Sequence, residues 1–544
     1  MATMNTKRIA LTMYLLLLLL YVHVSAQLST NEFPISFKYN FSKETVPTIV
    51  MPTVDTVKLK EEDTQEVHFG LPPRFGFMHT TNLNLTKEGK WHVLENGDKL
   101  WQLAIVCPDA LTINLLYDKF WLPPGAKFFI YSQDKKHHIG AFTEINNKGT
   151  KDKIQGFATG LIRGNAVMLE YYLPKNSTEE GIISISGVVH GYKPTIFSNE
   201  YGFGTVPRDG FGLSGSCQVN INCSEGTNWQ NEKRAIALIT INGVRNCTGA
   251  LINNTNNDFH PYFLTADHCL RAGQTATENP NLYNWMFYWN YELSGCNNSS
   301  VEPLAFSTSG ANVLANWSHN NNLLTGGSDF ALLELTENPV QLSTYTPPFM
   351  PYYLGWDRTG NVPSSGVGIH HPQGDVKKIS TLNNIPGTYG NYWDFFWSPT
   401  TNGFSVTEGG SSGSPFINSS RRVIGQLQGG SNINCNMPVA DTARYGKFNI
   451  SWNGGGVSTN RLSNWLHSSN TSAPNILDGI GYCRETTISK IINQNETVKC
   501  DKINVINTTV MPTGKLTLIG GSSVNIIGDF NVHHGAELII RANP

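Results

Sequence analysis

Apolar residues in this chain fall mostly in short runs interleaved with polar positions, and Gly, Pro and Asn punctuate the runs. Alternation over four to eight residues predicts half-buried β-strands rather than amphipathic helices. Upstream, the strand candidates are residues 101–106, 127–131, 167–172 and 182–186. Residues 27–211 read as one β-rich unit, a β-sandwich. Residues 202–212 (Gly-Phe-Gly-Thr-Val-Pro-Arg-Asp-Gly-Phe-Gly) read as an exposed linker open to proteolysis. Further strands are expected at 235–241, 248–252 and 330–335. They suit an all-β unit over 212–482, two antiparallel barrels with a site in the cleft between them. Near its end, Ser458-Thr459-Asn460 can cap a short helix that places Leu462, Trp465 and Leu466 on one face. Residues 483–544 change character. Short alternating runs at 515–518, 524–527, 529–532 and 537–540, separated mostly by glycines, predict a small β-solenoid-like module. Its role is either attachment or passive stabilisation.

The other end differs again. Lys7 and Arg8 precede an apolar run from Ile9 to Val22, and Val24-Ser25-Ala26 follows. This is the signature of a signal peptide over 1–26, cut after Ala26 and implying secretion. A membrane anchor is the alternative, disfavoured because the run is short and ends in small residues. No other segment is long enough to span a bilayer.

Composition sharpens this picture in two respects. The net charge is −2 and only 15% of the 544 residues are charged, which gives no sign of a nucleic-acid or anionic-membrane partner. The nine cysteines suit an oxidising compartment. Six of them, Cys217, Cys223, Cys247, Cys269, Cys296 and Cys435, fall within 212–482 and permit fifteen pairings. Cys483 and Cys500 are close enough in sequence to pair, which leaves Cys107.

Three segments carry candidate chemistry: 263–269 (Phe-Leu-Thr-Ala-Asp-His-Cys), 328–335 (Ser-Asp-Phe-Ala-Leu-Leu-Glu-Leu) and the glycine-rich 409–415 (Gly-Gly-Ser-Ser-Gly-Ser-Pro). Alone, the last reads as a flexible loop. Together they give His268, Asp329 and Ser412 in the chain order of a chymotrypsin-like triad. A serine hydroxyl attacks a carbonyl only when an imidazole takes its proton, and a buried carboxylate holds that imidazole in the right tautomer. The N–H groups of Gly410 and Ser412 would form the oxyanion hole, worth roughly 3–4 kcal/mol per donor. Gly429 and Gly430 would form the strand edge that pairs with substrate backbone. A rival register takes Ser411 as the nucleophile of a Gly-x-Ser-x-Gly elbow, with Asp441 and His467. It lacks a helix after the serine and βαβ alternation around it. His370-His371 and His533-His534 lack a partner cluster, so no metal or other cofactor is expected.

Several runs also resemble the lysyl endopeptidase-like family of secreted bacterial serine proteases. They include Thr-Ala-x-His-Cys at 265–269, Ser-Asp-Phe-x-Leu-Leu-Glu-Leu at 328–335 and Thr-Glu-x-Gly-Ser-Ser-Gly-Ser-Pro at 407–415. Tyr-Trp-Asn-Tyr at 288–291, Gly-Trp-Asp-Arg at 355–358, His-His-Pro at 370–372 with Lys-Ile-Ser at 378–380, and Arg-Leu-Ser-Asn-Trp-Leu at 461–466 add to it. The resemblance covers 212–482. It implies a chymotrypsin-like double barrel and the disulfides Cys217–Cys435, Cys223–Cys296 and Cys247–Cys269. It also implies that 27–211 is a propeptide acting as intramolecular inhibitor, with maturation after Phe211; Arg208 is a second candidate. A permanent accessory domain is the alternative.

The chain departs from that family at the specificity pocket. The family's lysine-binding aspartate, two residues before Tyr-Gly, is Ala443 here, and its pocket histidine is Gln428. Burying a lysine ammonium without a carboxylate costs several kcal/mol. The expectation is therefore a secreted, monomeric serine endopeptidase zymogen acting on proteins or peptides, with a neutral or aromatic residue preferred before the cut. One alternative is basic specificity restored by Glu408 or Asp441; Glu408 stands where the family also has Glu. Another is a degenerate protease serving as a binding or adhesion module.

Overall fold

The structure is a computed structural model that describes residues 27–30, 32–39, 46–66, 72–193, 213–271, 281–299, 302–303, 305–320, 322–430, 435, 442–469 and 471–542. The signal-peptide reading, the 202–212 linker and Asp441 lie outside these residues.

Upstream, two sheets face each other. A six-stranded sheet includes Lys99–Val106, Ala166–Leu173 and Lys127–Ser132, and a five-stranded one includes Thr112–Trp121, Ile182–Gly191 and Gly76–Asn84. Side chains from both, among them Leu103, Ile105, Phe120, Phe128 and Leu169, bury into one core. This is the geometry that alternating positions on paired strands produce.

Two larger sheets follow. The strands that carry the site are β1 (Ile236–Ile241), β2 (Arg245–Leu251), β3 (Tyr262–Ala266) and β4 (Phe330–Leu335) in the first sheet. The second contributes β5 (Gly366–His370), β6 (Pro415–Asn418), β7 (Arg422–Gly430) and β8 (Ala443–Lys447). The first sheet has seven strands in the order 306–309, 286–289, β1, β2, β3, β4, 311–317. The second has nine, with 378–382, β5, β6, β7, β8, 392–395 and 387–389 in succession. β1 and β4 are buried almost throughout, so both faces of the first sheet are covered. Leu462 and Leu466 are fully buried at the short helix Ser463–Leu466.

The upstream unit does not stand apart. Phe75, Leu116 and Val189 share one apolar cluster with Leu238, Val244 and Tyr288. Lys148 is buried against the first sheet, donating to Ser309 O and Oγ at 2.7 Å and lying 3.6 Å from Glu337. The strand pattern located the unit's own core, but periodicity does not say which outer positions a neighbouring sheet covers.

The tail is a parallel sheet. Asn495–Val510 pairs in parallel with Lys515–Val532, and that strand with Glu537–Ala542. The three runs expected at 515–532 are one long strand with register shifts near Gly520 and Gly528, because the parallel ladder with Asn495–Val510 resumes after each shift. Four disulfides are formed: Cys217–Cys435, Cys223–Cys296, Cys247–Cys269 and Cys483–Cys500. Cys107 is a buried free thiol.

Candidate active site

β3 and β4 pair antiparallel with Ala266 opposite Phe330, so the residue just beyond β3 faces the residue just before β4. These ends are His268, in the turn after β3, and Asp329. The backbone locks them: Asp267 N donates to Asp329 O at 3.0 Å, and His268 N to Asp329 Oδ1 at 3.0 Å. His268 Nδ1 then donates to Asp329 Oδ2 at 2.7 Å. Asp329 is wholly buried and takes a left-handed φ of 59°, a conformation that Asp tolerates better than most residues. With Nδ1–H committed to the carboxylate, Nε2 keeps the lone pair of the neutral ring. Nε2 is buried and has no hydrogen-bond partner among the described residues. The Cys247–Cys269 bridge ties the following residue to β2. Those two sulfurs lie near His268, but bonded to each other they are not thiolate ligands for a metal.

The serine segment connects the two sheets. Thr248 N of β2 donates to Ser412 O at 2.8 Å, and Gly413 N donates to Leu427 O of β7 at 2.8 Å. Thr248 Oγ1 donates to Gly410 O at 2.8 Å and accepts from His371 N at 3.1 Å. Gly413 sits at φ 82°, where a Cβ would lie 2.2 Å from Thr265 Oγ1, so no larger residue fits there. The N–H groups of Gly410 and Ser412 have no partner among the described residues.

The two adjacent serines differ sharply. Ser411 is fully buried; its Oγ pairs with His370 Nδ1 at 2.8 Å and accepts from Glu408 N at 3.1 Å. His370 Nε2 meets Ser380 Oγ at 2.9 Å, and burial, followed by the nearby Lys378 charge, lowers its pKa to about 3. His370 is thus a neutral peg for the loop. Ser412 is partly exposed. His467, the base of the rival register, pairs instead with Thr255 Oγ1 at 3.0 Å and Thr471 O at 2.8 Å.

The pocket residues are spread differently from one another. Ala443 is fully buried in β8, opposite Gly430 and Phe395, in a cluster with Trp397, Val406, Phe416, Leu427 and Tyr445. Arg444 turns to the other face, 3.4 Å from Asp394 and stacked 5.0 Å from the Tyr389 ring. Gln428 lies at a break of register in β7, and a Cβ on Gly429 would meet open space. Glu408 Oε1 accepts from Gly215 N at 2.9 Å and Gln218 Nε2 at 2.8 Å, and burial raises its pKa. The carboxylate expected to line the pocket is therefore engaged by residues 215 and 218. Sequence reasoning passed over Thr248 and the pegging role of His370. Thr248 sits between Cys247 and Gly249 in a predicted strand, and nothing in its type marks it.

Two mainly antiparallel sheets, with a His–Asp pair on the first and a glycine-flanked serine joining the second, make an all-β fold of chymotrypsin-like arrangement. Residues 211–446 match the family described as lysyl endopeptidase, C-terminal domain. Lysyl endopeptidase of Pseudomonas aeruginosa is 30% identical over 330 residues, and the match spans 57% of this chain and 64% of that protein. Over this part of its length the chain is similar to lysyl endopeptidases, and it spans less than two thirds of that relative's length. Among solved structures, a Glu endopeptidase is 19% identical, with 40% of this chain and 86% of that one covered, at a TM-score of 0.25. The active form of the Rv3671c protease from M. tuberculosis is 14% identical, with 46% and 88% covered, also at 0.25. At such scores the likeness carries no argument, and the fold rests on the sheet order.

Proposed function

We propose that the chain is a secreted serine endopeptidase made as a zymogen, in which His268, Asp329 and Ser412 form the triad. The observation that carries this reading is the 2.7 Å His268 Nδ1–Asp329 Oδ2 bond, which leaves an unpartnered Nε2 in the site. Nε2 takes the proton of Ser412 Oγ as that oxygen attacks the substrate carbonyl. The imidazolium so formed is stabilised by Asp329 and returns the proton to the leaving amine, giving an acyl-enzyme that water hydrolyses by the same route. The N–H groups of Gly410 and Ser412 receive the oxyanion. Gly429 and Gly430 pair with the acyl-side backbone. Ala443 and its apolar neighbours favour a neutral or aromatic residue before the cut, since Glu408 is already engaged. The 27–211 unit is the inhibitory propeptide, and its docking on the first sheet supports that role. Lysine selectivity through Asp441 is the second reading, favoured by the family match.

The test is a pair of substitutions. Ser412→Ala removes hydrolysis to background. Ser411→Ala loses a buried hydrogen-bonded peg worth about 1–3 kcal/mol but retains measurable turnover. Loss of turnover in Ser411→Ala with activity kept in Ser412→Ala refutes the triad.

A further inference from the structure

Along a strand, alternate residues direct their N–H groups to the same edge, roughly 7 Å apart. On β2, Thr248 N donates to Ser412 O, and two residues earlier Asn246 N donates to Pro73 O at 3.1 Å. Phe75 N donates to Val244 O at 2.8 Å, and Arg74 and Arg245 form an antiparallel bridge. Residues 73–75 of the upstream unit thus lie on β2 as an added strand. They are the next occupant of the edge that holds the serine. Pro73 also reaches the serine loop itself: a Cβ built on Gly409 would lie 3.5 Å from Pro73 Cδ.

Arg245 is almost completely buried at this contact. Its Nη1 donates to Pro72 O at 2.9 Å and lies 2.8 Å from Glu66 Oε2, at the end of the helix Thr56–Glu66. Both oxygens belong to the upstream unit. A guanidinium is always charged and matches carboxylates, so a site that exposes it selects an acid.

A peptide whose scissile carbonyl sits between Ser412 and the Gly410 N–H has its acyl side against β7. Its leaving-group residues then run along the first sheet, where the free edge of β2 offers main-chain pairing. We propose that Arg245 gives the leaving-group side of the site, along residues 244–246, a preference for an acidic residue, and that the uncut chain's own 72–76 segment fills this place with Glu66 satisfying the guanidinium. This inference rests on the serine-protease reading above.

The full-length chain, cut within 202–212, is the material for the test. Freed of its upstream unit by dilution, it is assayed on peptides identical on the acyl side, with three-residue leaving groups carrying Glu, Gln or Lys. The expected order of kcat/KM is Glu, then Gln, then Lys, with at least tenfold between the ends. The concentrated complex is expected to show inhibition relieved by raising peptide concentration, and Glu66→Gln is expected to weaken that inhibition about tenfold. If Glu66→Gln fails to fold, the substrate series on the natural sequence still decides. A Glu-to-Lys ratio within twofold, or inhibition that peptide does not relieve, overturns the inference. A serine-directed phosphonate separates the two levels. Labelling of Ser412 with a flat leaving-group preference overturns only this inference, whereas no labelling and no cleavage refutes the protease reading.

Discussion

Replacing Thr248 by valine keeps a β-branched side chain of nearly the same shape and removes one hydroxyl. That hydroxyl is fully buried; it donates to Gly410 O and accepts from His371 N. Without it, two buried backbone groups lose a partner at about 1–3 kcal/mol each, part of it recovered by relaxation. A stability loss of about 2–4 kcal/mol is therefore expected. The effect on turnover comes from geometry. Gly410 is at φ 88°, and Thr248 Oγ1 fixes its carbonyl, which would hold the next peptide units toward the proposed oxyanion position. Glycine has no side chain to resist reorientation once that bond is gone. Losing one oxyanion donor costs about 10²–10³ in kcat, so Thr248→Val is expected to lower kcat by about a hundredfold with KM little changed. Thr248→Ser retains the hydroxyl and is expected to restore most of it. The assay is steady-state hydrolysis of an amide substrate by processed protein, alongside thermal midpoints of all three forms. A kcat within threefold of the natural protein, with a lowered midpoint, would show that the serine loop holds its shape without this hydroxyl.

Further outcomes follow from the same geometry. On matched substrates differing only before the cut, Phe and Leu are expected to exceed Lys and Arg in kcat/KM; a Lys preference over Phe above about a hundredfold, or about 2.7 kcal/mol, would sink this and point to Asp441. His370 has its folded pKa depressed to about 3 against an ordinary 6.5. Its stabilising contribution is thus complete above about pH 6.5 and is shed progressively as pH falls toward 3, because the unfolded chain takes up the proton first. Thermal midpoints against pH are expected to fall less steeply over that window in His370→Gln; parallel curves would assign the acid sensitivity to other groups. The full-length chain is expected to be inactive until cut between about 208 and 216, and full activity in an uncut chain would contradict the zymogen reading.

The β-rich class was legible in the sequence alone, and so was the pairing of His268 with Asp329. Alternating runs mark strands because side chains on a pleated chain alternate between core and solvent. The segments around His268, Asp329 and Ser412 stood out because a serine nucleophile would need this set of residue types. Between Ser411 and Ser412, however, local pattern does not choose; the tertiary structure separates them by burying one against His370 and leaving the other partly exposed. The same holds for Glu408, to whose Oε1 only the fold brings Gly215 and Gln218, from 193 and 190 residues away. Thr248 carried no signal at all, since its importance lies in three segments that converge on one hydroxyl and one amide. The contact of Pro73 with β2 is likewise a product of docking. Strand edges are made of backbone groups common to every residue, so what pairs with an edge is decided only when the sheets are assembled.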